Sequence, residues 1–136
     1  MRYMGIDYGD ARVGIALSDP LGMLAQRYTT LENTGGKKLF EQIAQLVREK
    51  QVGHIVIGLP KNMDGSEGFR AEATYAFAER LKTVTDVKIS FWDERLTTVA
   101  AHGYLSELNI RGKKRKATVD AMSAELILEG FMQSKV

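Results

Sequence analysis

The N-terminal part of the chain alternates short apolar runs with glycine-containing turns, which is typical of adjacent β-strands. Residues 2–6 and 12–17 flank a tight turn at Gly9 and predict a β-hairpin. A third strand is expected over residues 24–30. In this arrangement Asp7 lies at the carboxyl end of the first strand, where the ligands of open α/β sheets gather.

Apolar residues then recur at helical spacing and predict an amphipathic helix. These residues are Leu39, Ile43, Leu46 and Val47. Gly53 is expected to end this helix. Residues 54–57 form a short continuous apolar run, which suits a central parallel strand covered on both faces.

A long polar loop at residues 58–66 leads to a second predicted helix. Asp64 and Glu67 have the spacing of a capping box, so this helix is expected to run from about residue 65 to residue 84. The loop, which includes Asn62, also predicts an anion-binding helix entrance, because backbone N–H groups at a helix start attract phosphate. Arg70 follows within one turn. The alternative is a plain β–α loop with good capping.

The remaining pattern predicts one more strand and two more helices. Residues 87–92 form the strand, which ends directly before Asp93-Glu94-Arg95. Helices are expected over residues 97–108 and 118–132. Right-handed crossovers place the later strands parallel to the first. The chain, residues 1–136, is therefore predicted to be one α/β domain with a mixed sheet.

Acidic residues are expected to meet at one edge of this sheet. Parallel strands share their carboxyl edge, which brings Asp7 near Asp93 and Glu94; strand alternation separates these two neighbours but does not choose between them. Asp120 is the third candidate, because it shares a helical face with apolar residues and a carboxylate there needs a partner. Those residues are Ala124, Ile127 and Phe131. The alternative is that Asp120 only favours the first turn of its helix through the macrodipole.

Carboxylates that converge without histidine or cysteine indicate a hard-cation site. Oxygen ligands suit Mg²⁺ or Mn²⁺. Such a site can hold two ions about 3.5–4 Å apart, which stabilise the attacking and leaving oxygens of a phosphodiester displacement. The alternatives are independent surface acids and, for Asp7, a residue that simply favours the turn.

Positive charge is concentrated although the net charge of the chain is only +2. Five of the six residues 111–116, which precede the last predicted helix, are basic, namely Arg111, Lys113, Lys114, Arg115 and Lys116. Such a run beside a metal site would hold a polyanionic backbone, with affinity that falls as salt rises. Arg12 and Arg95 are further candidates for positioning phosphates. The alternative for the run is a solvated loop.

Composition limits the remaining classes of protein. The length of 136 residues suits about one domain, and the absence of cysteine excludes disulfides and thiolate chemistry. The sequence has neither an apolar run long enough to cross a bilayer nor a secretory segment, so a cytoplasmic protein without membrane contact is expected.

Four motifs, taken in order, resemble the YqgF family, whose members are described as pre-16S rRNA nucleases and as Holliday-junction-resolvase-like proteins. They are Gly5-Ile6-Asp7-Tyr8-Gly9 with Arg12-Val13-Gly14-Ile15-Ala16, Gly58-Leu59-Pro60-Lys61-Asn62-Met63-Asp64-Gly65-Ser66, Asp93-Glu94-Arg95-Leu96-Thr97-Thr98, and Asp120-Ala121 with Ile127-Leu128-Glu129. The resemblance implies an RNase H-like fold, with a five-stranded mixed sheet and helices on both faces. It implies that Asp7, Glu94 and Asp120 are the catalytic acids, with Asp93 as the less favoured neighbour. It also implies a role in maturing the 5′ end of the small-subunit ribosomal RNA precursor.

The leading interpretation is a Mg²⁺- or Mn²⁺-dependent nuclease acting on structured RNA. A second is the resolution of four-way DNA junctions, which needs two active sites and therefore favours a homodimer over a monomer. A third is a non-catalytic nucleic-acid-binding module. Sugar kinases and chaperone ATPases also begin with a similar hairpin, but they bind ATP between two such domains and this chain supplies one.

Overall fold

A computed structural model describes residues 1–95 and 119–135 with their side chains, and the backbone of residues 112–118. The predicted helix at 97–108 lies outside the described residues, as does Arg111. The side chains of Lys113, Lys114, Arg115 and Lys116 lie outside them too. The elements are β1 (Arg2–Tyr8), β2 (Arg12–Ser18), β3 (Ala25–Glu32), α1 (Lys37–Glu49), β4 (Val52–Leu59), α2 (Phe69–Leu81), β5 (Lys88–Asp93) and α3 (Gly112–Gln133).

Within the described part of the chain the strands form one five-stranded sheet in the order β3-β2-β1-β4-β5. The pairs β1–β2 and β2–β3 are antiparallel, whereas β1–β4 and β4–β5 are parallel. The sheet is therefore mixed, as the sequence predicted. Both parallel pairs follow from helical crossovers, so β1, β4 and β5 end at the same edge, which we call the carboxyl edge.

Alternation along the strands sends apolar side chains into two layers. On one face, isoleucines such as Ile6, Ile15 and Ile57 pack with α1 and α2 into the larger core. On the other face, Ala16 and Val56 pack with α3. Helices thus cover both faces of the sheet. We call the second one the α3 face, and it is the face on which the candidate site lies.

The predicted end of the first helix and the predicted start of the second are wrong. Helix α1 ends at Glu49, and the reversal falls on Gln51, whose φ of 55° places it in the left-handed region. Gly53 lies inside β4 instead of ending the helix. Helix α2 begins at Phe69 rather than near residue 65. Asp64 is engaged locally, because its Oδ1 accepts hydrogen bonds from the backbone N–H and the hydroxyl of Ser66 at 2.9 and 2.6 Å.

The last helix is longer than predicted. It begins at Gly112 instead of residue 118, so residues 112–116 form its first turns rather than a loop before it. Asp120 consequently lies in the third turn of α3. The macrodipole acts on the first turn of a helix, so a first-turn preference does not explain Asp120. No helix in residues 1–95 and 112–135 has the length and hydropathy needed to span a membrane.

Candidate active site

The site lies at the carboxyl edge, where Glu94 directly follows β5. The backbone N–H of Glu94 donates to the carbonyl of Leu59 at 3.2 Å and extends the β4–β5 ladder by one residue. A Cβ added at Gly58 would lie 2.5 Å from Glu94 Oε2 and would also overlap Ile127 of α3. The Glu94 carboxylate therefore lies over the α3 face, next to the end of β4.

The Asp93 side chain points to the face of the sheet opposite to that of Glu94. Successive strand residues point to opposite faces, and Trp92, which shares its parity with Glu94, packs against Gly130 of α3. The Asp93 carboxylate instead pairs with Arg95, with 2.7 Å between Asp93 Oδ2 and Arg95 Nη2. This pairing lowers the pKa of Asp93. The structure thus separates the two neighbouring acids that alternation alone left undecided.

Asp7 and Glu94 form what we call the carboxylate pair. Asp7 is partly buried in β1, directly across from Gly14 of β2. Its carboxyl group is hydrogen-bonded to the carboxyl group of Glu94. Burial, followed by the negative charges of Glu94 and Asp120, raises the pKa of Asp7 well above its ordinary value. Burial also raises the pKa of Glu94. The pair therefore holds its protons up to higher pH than an ordinary surface pair.

Asp120 approaches the carboxylate pair from α3. A Cβ added at Gly14 would overlap the backbone carbonyl of Asp120. The absence of a side chain at Gly14 therefore lets the helix lie directly on the sheet beside Asp7. The Asp120 side chain is engaged elsewhere, because its Oδ2 accepts a hydrogen bond from Arg12 Nε at 2.7 Å. Burial raises the pKa of Asp120, and Arg12 partly opposes that rise.

Asp7, Glu94 and Asp120 have the right donor atoms for a divalent cation, but their side chains are not yet arranged around one point. Across residues 1–95 and 112–135, no three acidic or histidine side chains converge closely enough to hold an ion as they stand. Asp7 and Glu94 are hydrogen-bonded to each other, while Asp120 is paired with Arg12. The donor set is nevertheless purely oxygen, which is what Mg²⁺ and Mn²⁺ prefer. A cation would also relieve the repulsion that raises the pKa of Asp7.

Two of the predicted phosphate-positioning arginines lie beside the acids. Arg70, in the first turn of α2, partly opposes the rise in the pKa values of Asp7 and Glu94 through its positive charge. Arg12 is paired with Asp120 and remains about one-third exposed, at 34% of its side-chain surface. Both arginines are therefore close to the point where a phosphate would meet the carboxylates.

Arg95 and Asn62 instead organise the loop that precedes α2. Arg95 is held by Asp93 and lies against Gly65. Asn62 donates to the Ser66 hydroxyl at 2.9 Å, and its own N–H donates to the Ser66 carbonyl at 2.9 Å. The N–H groups of Gly65 and Ser66 are also bonded within the loop. Residues 62–66 are therefore not the entrance of α2, which starts after Gly68. Contact between Asn62 and nucleic acid stays a prediction.

Sequence reasoning missed two kinds of residue at the site. Gly14 and Gly58 interrupt strands, and a glycine inside a strand pattern is a recognised signal that another element approaches closely. Met63 and Phe69 are the second kind, because these large apolar side chains are exposed at 73% and 77% in the loop before α2 and at its first residue. No motif in the sequence marks them.

Comparison with known proteins places this geometry in a family. The profile described as "RuvX: Holliday junction resolvase" matches residues 1–134. A Clostridioides difficile protein named "Putative pre-16S rRNA nuclease" is 43% identical over 135 residues, which cover 99% of this chain and 96% of that protein. A Ruminiclostridium cellulolyticum protein of the same name is 44% identical over 133 residues, with 97% and 94% covered.

Solved structures agree on the fold. A RuvC from T. thermophilus, in complex with a Holliday junction substrate, superposes with a TM-score of 0.59 at 8% identity and covers 99% of this chain and 96% of that one. The fowlpox virus resolvase, in complex with Holliday junction DNA, gives a TM-score of 0.61 at 10% identity, with 100% and 99% covered. These likenesses confirm the RNase H-like fold. The resemblance noted in the sequence is confirmed as well, and the chain belongs to the RuvX (YqgF) family of Holliday junction resolvases.

Proposed function

We propose that this chain, residues 1–136, is a divalent-metal-dependent nuclease that hydrolyses phosphodiester bonds in structured nucleic acid. The observation that carries the proposal is the carboxylate pair. Asp7 and Glu94 share a hydrogen bond on the α3 face, and Asp120 raises the pKa of Asp7 from the facing helix. Concentrated negative charge at a partly buried edge is costly by itself. A site that binds a cation would explain why it is kept.

Asp7, Glu94 and Asp120 would hold Mg²⁺ or Mn²⁺, and Asp93 would take no part because Arg95 already neutralises it. When bound, the metal supplies activation of the attacking water and stabilisation of charge on the phosphate. Burial and the neighbouring negative charges raise the pKa of Asp7, so protons compete with a metal ion for this carboxylate up to higher pH than usual. Metal uptake is therefore expected to release protons and to be stronger at higher pH.

Charged and apolar groups around the acids suit a nucleic-acid strand. Arg70 lies on the approach to the carboxylate pair and would orient the scissile phosphate. Arg12 and the basic residues at the start of α3 would contact neighbouring phosphates, which fix position without reading sequence. Phe69, exposed beside Arg70, offers a face on which an unpaired base can stack.

The substrate that we favour is the 5′ end of precursor 16S ribosomal RNA, because relatives 43–44% identical carry that name over nearly their whole length. The second candidate is the four-way DNA junction, which the family description and the two resolvase structures favour. Paired cuts in a junction require two active sites, so this candidate needs a homodimer. In the first case a monomer suffices, and the reaction would take place in the cytoplasm.

A cleavage assay separates these candidates. Precursor 16S RNA with its 5′ leader and a four-way DNA junction are each incubated with the protein in Mg²⁺, Mn²⁺ or chelator. We expect metal-dependent cleavage of the RNA, and loss of cleavage with retained binding in Asp7→Asn. Junction cleavage by a dimer would favour the second candidate. Binding without cleavage of either substrate in any metal would instead indicate a non-catalytic module.

A further inference from the structure

Two ion pairs connect the sheet to α3, and they are closely similar. Arg12 Nε lies 2.7 Å from Asp120 Oδ2, and Arg27 Nε lies 2.9 Å from Glu125 Oε2. In both pairs the carboxylate is about one-fifth exposed, at 20% and 21%. Only one of them includes a proposed metal ligand. Arg27–Glu125 therefore serves as an internal reference for what an ordinary strand-to-helix pair does.

We propose that Arg12 is a built-in counter-cation of the site: it holds Asp120 while no metal is bound, and it is displaced from Asp120 when a divalent ion enters. This inference rests on the proposed function, since it concerns control of the same site. Binding of the metal would then free Arg12 from Asp120 and make its guanidinium available to the substrate. Arg12 is accordingly a positioning residue.

The arrangement of the acids supports displacement. Asp7 and Glu94 lie against each other, but Asp120 does not join them in a cluster that would hold an ion as it stands. The Asp120 carboxylate would have to turn toward the carboxylate pair to bind an ion there. It is held instead by the hydrogen bond from the Arg12 guanidinium. A divalent ion bound there would place two positive groups against one carboxylate, and like charges in a partly buried site repel strongly.

Arg12 has room to leave without disturbing the backbone. Its side chain is 34% exposed, and its carbonyl is fixed by the N–H of Gly9 at 2.9 Å. Displacement is therefore a rotation of the side chain alone. Glu32 is the cross-strand neighbour of Arg12 in the β2–β3 register and is exposed. Directly opposed residues on adjacent strands share a face, so a second carboxylate is at hand for the displaced guanidinium.

The test is metal binding without substrate. Mn²⁺ and Mg²⁺ affinities are measured by calorimetry at pH 8 for the wild type, Arg12→Gln, Arg12→Lys and the matched control Arg27→Gln, with far-UV circular dichroism to confirm folding. We expect Arg12→Gln to bind Mn²⁺ about tenfold more tightly than the wild type, within the usual range of coupling between two ligands. Arg12→Lys should fall between them, and Arg27→Gln should match the wild type.

A second readout follows Arg12 directly. In NMR spectra, the Arg12 Nε–Hε signal is expected to shift on addition of Mg²⁺, whereas the corresponding signal of Arg27 should stay in place. Equal or weaker metal binding by Arg12→Gln would overturn the inference and make Arg12 a support for Asp120, with the proposed metal site intact. No binding by the wild type at millimolar metal would instead overturn the metal site itself, and this inference with it.

Discussion

The carboxyl group of Asp7, in the first strand, is hydrogen-bonded to that of Glu94, which follows the last strand of the sheet. Burial makes it costly to ionise either acid, so the pKa of each is raised. The topology forces this encounter, because β1 and β5 flank β4 in parallel and end at the same edge. The pairing has consequences for stability that can be measured without any substrate.

Replacing Asp7 should stabilise the metal-free protein. The folded-state pKa of Asp7 is raised, so folding favours the protonated form. Its contribution to stability is complete below the ordinary pKa of 3.8 and is lost as pH rises through the raised value. Asp7→Asn keeps a hydrogen-bond donor for Glu94 and cannot ionise. In chelator at neutral pH we expect it to be more stable by about 1 kcal/mol or more, because one pKa unit corresponds to about 1.4 kcal/mol.

Thermal unfolding of both proteins between pH 4 and 8 measures this effect. The gap between Asp7→Asn and the wild type should widen with pH, and added Mg²⁺ should raise the melting temperature of the wild type only. A variant that is less stable than the wild type across this range would mean that the Asp7 charge is well accommodated without metal.

Gly14 should not tolerate a side chain. Its added Cβ would overlap the Asp120 carbonyl, so α3 would have to move away from the sheet. We expect Gly14→Ala to cost about 1–3 kcal/mol in urea unfolding, as overpacking usually does, and to weaken metal binding. The matched control is Gly53→Ala, also in a strand, where the Cβ would meet only the side chain of the exposed Met1. Equal stability of the two variants would contradict the close approach of α3.

Phe69 should contribute to binding of unpaired strands. Its ring is 77% exposed at the first residue of α2, so its removal exposes little buried surface. Stacking on an aromatic ring is worth about 1–3 kcal/mol per base, so Phe69→Ala is expected to weaken binding to single-stranded RNA about tenfold or more and to a plain duplex hardly at all. Tyr28→Ala, which removes another exposed aromatic residue on the edge strand β3, is the control. If both variants bound single-stranded RNA equally weakly, Phe69 would have no specific role in binding.

The basic residues at the start of α3 should govern the salt dependence of binding. Changing Lys113, Lys114 and Arg115 to glutamine is expected to weaken binding to all sequences alike. For every phosphate that the protein no longer neutralises, the slope of log affinity against log salt should become shallower by about one. Fluorescence anisotropy over a salt series measures that slope. An unaltered slope would make these residues bystanders.

Much of the fold follows from periodicity. Ile6 and Ile15 alternate with residues of the other face, and the apolar run in β4 marks a strand covered on both sides. Helix starts were harder to predict because local hydrogen bonds compete for the same side chains. Asp64 illustrates this: its capping-box spacing is correct, but its carboxylate bonds Ser66.

Only part of the site could be predicted, because the rest depends on tertiary structure. Family motifs indicated Asp7, Glu94 and Asp120, but strand alternation could not choose between Asp93 and Glu94 because both faces of the sheet are covered. The distinction depends on which face α3 occupies, and this is a tertiary feature. The pairing of Arg12 with Asp120 joins β2 to the last helix, and no local pattern in the sequence indicates it.

The most direct measurement compares Glu94→Gln with Asp93→Asn in Mg²⁺-dependent cleavage of precursor 16S RNA. The two acids are adjacent, but one belongs to the carboxylate pair and the other is held by Arg95. We expect Glu94→Gln to lose at least about 100-fold in rate, since even residues that only support metal ligands are worth roughly 10- to 100-fold. Asp93→Asn should remain within a few-fold of the wild type. Full activity in Glu94→Gln, or loss in Asp93→Asn alone, would contradict the assignment.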